Sequence, residues 1–155
     1  MGAKISIKVD DAQLKHALAV APNRIINTMH RSLTRSAIQT QRYFRETLTK
    51  HHNVFTGNLR ESVKYHFNNK LDVDIAPQAK YAKYVEFGSR PHFISLKKIT
   101  PWANFRHLDP ATVKKGIMTK GTRPHPFLKQ TAKLAEKYAT EDMQKQLDKA
   151  MKEIL

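Results

Sequence analysis

The stretch of sequence that decides the fold lies near the middle of the chain and reads Tyr81-Ala82-Lys83-Tyr84-Val85-Glu86-Phe87-Gly88-Ser89-Arg90. Its single carboxylate, Glu86, stands between Val85 and Phe87, and Gly88 follows directly. A buried carboxylate is costly unless it is paired or hydrogen-bonded. The apolar neighbours therefore indicate that Glu86 points inward, or toward another chain, and has a partner there. Gly88 can adopt a positive φ, which allows a sharp turn.

Two other compact stretches have the composition to meet this one. They read Thr56-Gly57-Asn58-Leu59-Arg60-Glu61-Ser62 and Gly121-Thr122-Arg123-Pro124-His125-Pro126-Phe127-Leu128. Each carries one arginine that could neutralise Glu86. We predict that Glu86 pairs with Arg60 or Arg123, or accepts backbone N–H groups from the Thr56-Gly57 turn. The predicted set is called the clasp, and it comprises Thr56, Gly57, Arg60, Glu86, Gly88 and Arg123.

Length and composition predict one domain over residues 1–155. The chain is 40% hydrophobic and 26% charged, which is typical of a folded globular protein rather than a disordered one. It has no cysteine, so disulfides and thiolate chemistry are excluded. The longest apolar run is residues 17–21, far shorter than a membrane span, and no signal-peptide pattern opens the chain. We expect synthesis in the cytoplasm and no membrane partner.

The first half of the chain shows two different hydrophobic periods. Alternation over residues 5–9 predicts a strand, and Asp10-Asp11 offers an N-cap for a short helix with Leu14 and Leu18 on one face. From Pro22 to about Thr49, apolar residues recur with helical spacing, which predicts a long amphipathic helix. The apolar face of that helix is Ile26, Met29, Leu33, Ala37, Phe44 and Leu48.

The next segment predicts a β-hairpin followed by a short helix. Residues 62–67 and 71–75 both alternate with period two, and Asn68-Asn69-Lys70 supplies turn residues between them. Thr56 is placed to cap a short helical turn before the hairpin. After Pro77, residues 79–85 can form one or two helical turns that lead into Glu86.

Residues 90–120 contain three prolines and two basic pairs, and we predict a long extension loop there. A helical turn at residues 111–115 and a short strand at Ile117-Met118 are local possibilities. The apolar content favours a segment that orders against a partner, and the alternative is a lid packed on its own domain. The predicted partner interface is Ile94, Ile99, Trp102, Phe105, Pro126 and Phe127.

A last amphipathic helix is predicted from Pro126 onward, because proline suits a first helical turn and the later apolar residues keep helical spacing. The predicted fold class is therefore α+β. A long N-terminal helix and a C-terminal helix pack on a small antiparallel sheet, with the long loop between them.

The formal net charge of +15 favours an anionic partner, which could be nucleic acid, an acidic protein surface or a membrane surface. An arginine-rich face of the long helix could follow phosphates, or could be solvated or contact another subunit. Trp102 or Tyr65 could stack on bases. No recognised nucleic-acid-binding motif is present. The predicted basic face is Arg24, Arg31, Arg35, Arg42 and Arg45.

Catalytic and metal-binding patterns are weak. His51-His52 could bind a metal, but no third ligand follows at suitable spacing. His92, His107 and His125 could supply acid–base chemistry. No phosphate-binding loop, Gly-x-Ser-x-Gly motif or clearly spaced carboxylate pair accompanies them. We expect no enzyme activity, no metal and no cofactor.

The three stretches together resemble a family of tail-component proteins of tailed double-stranded-DNA bacteriophages and prophages. The resemblance lies in Thr56 to Arg60 with Ser62, in Tyr81-Ala82 with Val85 to Gly88, and in Pro124 to Leu128, and it extends over roughly residues 5–140. It implies an α+β subunit that acts in tail completion or head–tail joining, without catalysis. It also implies a homo-oligomeric ring at the head–tail junction of the virion, assembled in the host cytoplasm. Expected partners are head-closure and tail proteins, with non-specific contact to channel DNA as an additional possibility. Residues 90–120 are not a recognised part of the resemblance.

Overall fold

The computed structural model describes residues 4–8, 19, 21–50 and 56–153. The predicted short helix with Leu14 and Leu18 and the His51-His52 pair lie outside these residues. Within the described part, the chain forms three strands and six helices, labelled here in chain order. They are β1 (Ile5–Lys8), α1 (Pro22–Lys50), α2 (Asn58–Glu61), β2 (Val63–Asn69), β3 (Asp72–Pro77), α3 (Ala82–Phe87), α4 (Leu96–Phe105), α5 (Pro110–Lys120) and α6 (Leu128–Lys152).

Helix α1 forms where its periodicity predicts, and it starts at Pro22, a residue suited to a first helical turn. One position on its apolar face differs from the prediction. Ile25 is fully buried, whereas Ile26 is only partly covered. The remaining predicted positions are buried, and small polar side chains lie between them. These buried polar residues are Ser32, Ser36, Thr40 and Thr47.

The sheet has three antiparallel strands in the order β1-β3-β2. Because β3 is central, its apolar residues Val73 and Ile75 are completely buried. Strand β2 is less covered, and Tyr65 stays 37% exposed although it alternates in phase with Val63. In the hairpin turn, the side-chain oxygen of Asn69 accepts a hydrogen bond from the N–H of Leu71 at 2.8 Å. The predicted hairpin is confirmed.

Helix α6 packs antiparallel along α1. At one end Arg24 forms an ion pair with Glu153, and in the middle Ser32 donates to Asp142 at 2.5 Å. At the other end, the rings of Phe44 and Phe127 meet edge to face, with centroids 6.0 Å apart. The main hydrophobic core lies between α1, the sheet and the start of α6.

The loop predicted at residues 90–120 is wrong for most of its length, because α4 and α5 occupy 21 of those residues. The three prolines of this segment had favoured a loop over helices. Pro110 occupies the first turn of α5, which proline favours, and Asp109 caps that helix by accepting from Thr112 N at 2.7 Å. Pro101 lies inside α4 and is tolerated there. The short strand predicted at Ile117-Met118 is also wrong, since both residues belong to α5.

The fold class is otherwise as predicted. The protein is α+β, with a long N-terminal helix and a C-terminal helix on a small antiparallel sheet. Helices α4 and α5 pack chiefly against each other, and α5 has no buried residue. They form a helical hairpin that leaves the body between α3 and α6. Residues 89–122 are called the arm below.

Candidate functional site

The arm leaves and re-enters the body through one short antiparallel bridge. Ser89 N donates to Thr122 O at 3.2 Å, and Thr122 N donates to Ser89 O at 3.1 Å. The two hydroxyl groups lie 2.9 Å apart, so the side chains add a third link. Close by, His125 N donates to Val85 O at 2.7 Å, which joins the returning chain to α3. The bonds between Ser89 and Thr122 thus close the two ends of the arm on each other, and the bond from His125 to Val85 joins the returning chain to the body.

Two glycines allow this close approach. Gly88 has φ 75° and ψ 179°, and Gly121 has φ 77° and ψ −160°, a backbone region that is essentially restricted to glycine. A Cβ at Gly121 would lie 1.9 Å from Ser89 O, and a Cβ at Gly88 would lie 2.5 Å from Thr122 O. Neither position can carry a side chain without movement of the backbone. The positive φ predicted for Gly88 is therefore present, and Gly121 matches it on the returning chain.

Glu86 closes the same region from the body side. Its side chain is 6% exposed, and its Oε2 accepts hydrogen bonds from Phe127 N at 2.8 Å and Leu128 N at 3.1 Å. These N–H groups belong to the first turn of α6, where helical backbone donors lack intrahelical partners. Phe127, the N-cap residue, makes no side-chain cap. Glu86 supplies the cap from another helix, and its negative charge suits the positive end of the helix dipole.

The predicted partners of Glu86 are wrong in detail. Within the described residues, Glu86 forms no ion pair with Arg60 or Arg123, and the Thr56-Gly57 turn does not donate to it. Arg60 instead bonds its neighbour Glu61 at 3.1 Å. Arg123 is exposed at the base of the arm. The structure therefore brings only Glu86, Gly88 and the segment around Arg123 together.

The stretch from Thr56 to Ser62 contacts the chain just before α3. Leu59 is buried in the core, and Gly57 has φ 79° at the start of α2. Thr56 Oγ1 accepts only a long 3.4 Å bond from Asn58 N, so the predicted Thr56 cap is weak. Ser62 makes the main link. Its Oγ accepts from Ala79 N at 3.2 Å, and its carbonyl accepts from Gln78 N at 2.9 Å.

The arm exposes large apolar side chains. Phe93 is 73% exposed and Phe105 is 52% exposed, while Leu96, Leu108 and Met118 are each more than two-fifths exposed. Of its apolar residues, only Ile99 and Ala103 are buried. Exposed apolar side chains mark a contact surface where they form one contiguous area.

The predicted partner interface divides into two groups. Phe105 and Pro126 are exposed, and Ile94 and Trp102 are partly exposed. Phe127 is completely buried in the main core, so its assignment to a partner surface is wrong. Ile99 is 9% exposed and contributes to the wall of a groove at the base of the arm.

The groove lies between α3 and the arm and has a volume of about 760 Å³. Helix α3 and its N-cap contribute Tyr81, Tyr84 and Val85. The facing wall comes from α4, α5 and the returning chain. Partial burial raises the pKa of Tyr81 above 10.0.

The predicted basic face is largely engaged in ion pairs. Four of its five arginines have a carboxylate partner within 4 Å, whereas Arg31 has none among the described residues. These pairs are Arg24–Glu153, Arg35–Asp142, Arg42–Glu46 and Arg45–Glu61. The pairs reduce the positive charge that this face of α1 can offer to phosphates.

Within the described residues, no group of three or more His, Cys, Asp or Glu side chains could hold a metal ion. In the same part of the chain, no helix is both long and apolar enough to cross a membrane.

The stretches that contain Ser62, Ser89, Gly121 and Thr122 are predicted to meet, but the sequence analysis gives none of these four residues a contact of its own. A signal for three of them was present, since Gly88-Ser89 and Gly121-Thr122 are both glycine–hydroxyl pairs that bracket the arm. The donors to Glu86 had no signal, because they are backbone N–H groups and every residue except proline has one.

Comparison with known proteins identifies the family. Residues 4–88, just over half of the 155-residue chain, match the family model described as bacteriophage HK97 gp10, tail component. The chain belongs to the HK97 gp10-like family of phage tail components. No curated protein and no solved structure matched the chain.

Family membership confirms the resemblance drawn from the sequence. The match includes the stretch from Thr56 to Ser62 and the stretch from Tyr81 to Gly88. It ends at Gly88, directly before the base of the arm. The arm, the third stretch and α6 lie beyond the matched residues. This HK97 gp10-like protein is thus a structural component of a phage tail and has other phage proteins as its partners.

Proposed function

We propose that this HK97 gp10-like protein acts in tail completion or head–tail joining, as a ring-forming subunit at the head–tail junction. The arm is the observation that carries the proposal. Its two ends are joined by the Ser89–Thr122 bridge, which the two flanking glycines allow, and five of its large apolar side chains are more than two-fifths exposed. A fixed base with an uncovered apolar surface suits a subunit that is completed by its neighbours.

Ring formation supplies a reason for these exposed residues. In a ring, each subunit presents one surface to the next subunit and a different surface to the previous one. The arm offers one such surface, and Tyr84 and Phe87 on α3 offer exposed aromatic residues near its base. A role of this kind requires complementary surfaces and no catalytic group.

The first test is a deletion of the gene from its phage or prophage, followed by electron microscopy of the lysate. Loss of head–tail joining predicts DNA-filled heads and full-length tails that accumulate separately. Complementation by the wild-type gene restores complete virions. A variant with Phe93 and Phe105 both changed to Ser fails to complement, because the arm then offers less apolar contact surface. Absence of tails, with normal heads, would place the protein at an earlier step and contradict the proposal.

The second test measures mass in solution by light scattering and native mass spectrometry. The protein is examined alone and after co-expression with the products of the genes on either side. A closed oligomer in either sample is expected. A monomer under both conditions would argue against a ring and leave only the structural tail role.

Non-specific binding to nucleic acid is the competing proposal, motivated by the net charge of +15. The ion pairs on α1 weigh against it. A salt titration with duplex and single-stranded DNA decides between the two, because phosphate contacts are strongest at about 50 mM salt or below. We expect weak binding that disappears by physiological salt. Tight binding that persists there would favour the competing proposal.

A further inference from the structure

The groove at the base of the arm has an apolar interior that the body of the protein does not fill. Its inner surface combines one residue of α3 with residues of both arm helices, namely Val85, Ile99, Trp102, Val113 and Ile117. Trp102, Val113 and Ile117 are only partly covered. A volume of about 760 Å³ falls within the range of specific ligand sites and is large enough for several side chains.

The edge of this groove is positively charged. Arg106 and Arg123 lie on it together with His125, and none of the described residues that line the groove is acidic. The Arg106 guanidinium lies 5.9 Å from the ring centroids of both Trp102 and Phe105. Arg123 is exposed and has no acidic residue within ion-pair distance in the described part of the chain.

The net positive charge per residue is higher in the segment that forms the arm than in the chain as a whole. Residues 89–123 contain eight Lys or Arg residues and a single acidic residue, Asp109. The Asp109 carboxylate is occupied as the cap of α5, and its hydrogen bonds from Thr112 lower its pKa. The groove therefore combines an apolar interior with basic residues, and its described lining contains no Asp or Glu.

We propose that this groove binds an acidic, apolar peptide segment of a partner protein. Apolar side chains of the segment, such as Leu, Ile or Phe, fill the interior against Trp102 and Ile117. Its Asp or Glu side chains lie at the border near Arg106 and Arg123. The proposal deepens the proposed structural function, on which it rests, by naming the chemistry of the segment that the arm receives.

Two other occupants fit less well. A second copy of this chain has 13 acidic residues against 28 Lys and Arg residues, so it offers few acidic segments to this border, while the exposed apolar residues of the arm outside the groove stay available to the next subunit of the ring. Single-stranded DNA would stack on Tyr81, Tyr84 and Trp102. The remaining apolar lining is aliphatic, and these side chains match an apolar peptide better than a base; they are Val85, Ile99, Leu108, Val113 and Ile117. Charge complementarity together with an aliphatic interior favours an acidic, apolar peptide.

The test uses the full-length protein and a library of random 12-residue peptides displayed on a carrier. Selected peptides are expected to be enriched in Asp or Glu together with Leu, Ile or Phe. The leading peptide is then synthesised and titrated against the fluorescence of Trp102, the only tryptophan of the chain. Binding is expected to shift the Trp102 emission and to weaken as the salt concentration rises.

Matched variants locate the site. Arg123→Glu is expected to weaken binding at least tenfold, and Lys145→Glu, an exposed change on α6 outside the groove, should leave it within twofold. Ile117→Ser tests the interior, and Met118→Ser, its exposed neighbour outside the groove, is the control. Melting curves of all four variants confirm that they are folded.

Three outcomes would overturn the proposal. The first is a selection without enrichment of acidic residues, or binding that Arg123→Glu leaves unchanged. The second is displacement of the peptide by a 15-nucleotide oligo-dT, which would indicate nucleic acid. The third is self-association that buries Trp102 and blocks the peptide, which would indicate a second copy. Mass measurements test ring formation separately. A protein that forms a ring but does not bind the peptide can therefore be distinguished from one that binds the peptide but forms no ring.

Discussion

The carboxylate of Glu86 and the backbone N–H of Phe127 are joined by a buried 2.8 Å hydrogen bond that spans 41 residues of sequence. Between these two residues the chain runs out through the arm and returns. The bond therefore fixes the last residues of α3 to the first turn of α6, on the body side of the Ser89–Thr122 bridge. One carboxylate thus links the start of α6 to the part of the chain that the family model covers.

Glu86→Ala is expected to lower the free energy of unfolding by about 2–4 kcal/mol. The change removes a charged acceptor and leaves Phe127 N buried without a bond, and hydrogen bonds to charged groups contribute about 1.5–3 kcal/mol each. Glu86→Gln keeps a neutral oxygen acceptor, so it should lower the free energy of unfolding by a smaller amount. Urea denaturation followed by circular dichroism measures both values.

The control for this experiment is Glu46→Ala. Glu46 is an exposed residue of α1 whose i,i+4 pair with Arg42 should contribute less than about 0.5 kcal/mol. If Glu86→Ala were as mild as Glu46→Ala, the capping role of Glu86 would be wrong.

Gly121→Ala is expected to open the base of the arm. The new Cβ would meet Ser89 O at 1.9 Å, and the backbone region of Gly121 is strained for any other residue by about 1–3 kcal/mol or more. The Ser89–Thr122 bridge should break before the core unfolds, because the arm makes few contacts with the body. Amide hydrogen exchange at Ser89 and Thr122 measures the opening directly.

Gly116→Ala is the matched control in the same segment. Gly116 lies inside α5, and a Cβ there has no neighbour within 4 Å. This substitution should stabilise α5 by about 0.5–1 kcal/mol, since glycine is unfavourable inside a helix. Two results would contradict the role of Gly121 at the base of the arm. One is amide exchange at Ser89 and Thr122 that Gly121→Ala leaves unchanged, and the other is faster exchange of these amides in Gly116→Ala.

Periodic segments were predictable from the sequence because the need to bury one face of a helix or strand sets the residue type at many positions at once. Helix α1 and the β2–β3 hairpin follow from their apolar periods, and the error was a single position, Ile25 for Ile26. The start of α1 at Pro22 was predictable because proline suits a first helical turn. Such patterns average over local exceptions, so an isolated polar residue on the buried face does not mislead them.

The arm and the partners of Glu86 were not predictable for two different reasons. In the arm, three prolines and two basic pairs favoured a loop with at most a helical turn at residues 111–115, but Pro110 begins a full helix and Pro101 is accommodated within another. For Glu86, the sequence predicts an ion pair with Arg60 or Arg123, or hydrogen bonds from the Thr56-Gly57 turn. The actual donors are backbone N–H groups at a helix start, which composition cannot distinguish from any others.

Asp142→Ala is expected to weaken the packing of α6 on α1. Asp142 accepts from buried Ser32 at 2.5 Å and from the Arg35 guanidinium at 3.0 Å. Its removal leaves the Ser32 hydroxyl buried without that acceptor, which typically costs about 1–3 kcal/mol. Thermal denaturation measures the loss, and Asp148→Ala, an exposed change on the same helix, is the control. Equal effects of the two changes would contradict the role given to Asp142.

Asp74 should make strand β1 sensitive to acid. Lys4 donates to its carboxylate at 2.8 Å and Ser6 at 2.5 Å, and these bonds, that of Lys4 first, lower the pKa of Asp74 from 3.8 to about 2. Because the folded-state pKa is lowered, the stabilisation is complete above pH 3.8 and is lost as the pH falls toward about 2.

Asp74→Asn removes this ionisation, so the stability difference between wild type and variant should be largest near pH 6 and shrink steadily below about pH 4. Urea denaturation across this range measures it. Lys4→Met, which removes the first donor, should reduce the same pH dependence without abolishing it, since Ser6 remains. A difference that stays constant from pH 6 to pH 2 would show that Asp74 does not hold β1 to β3 through its charge.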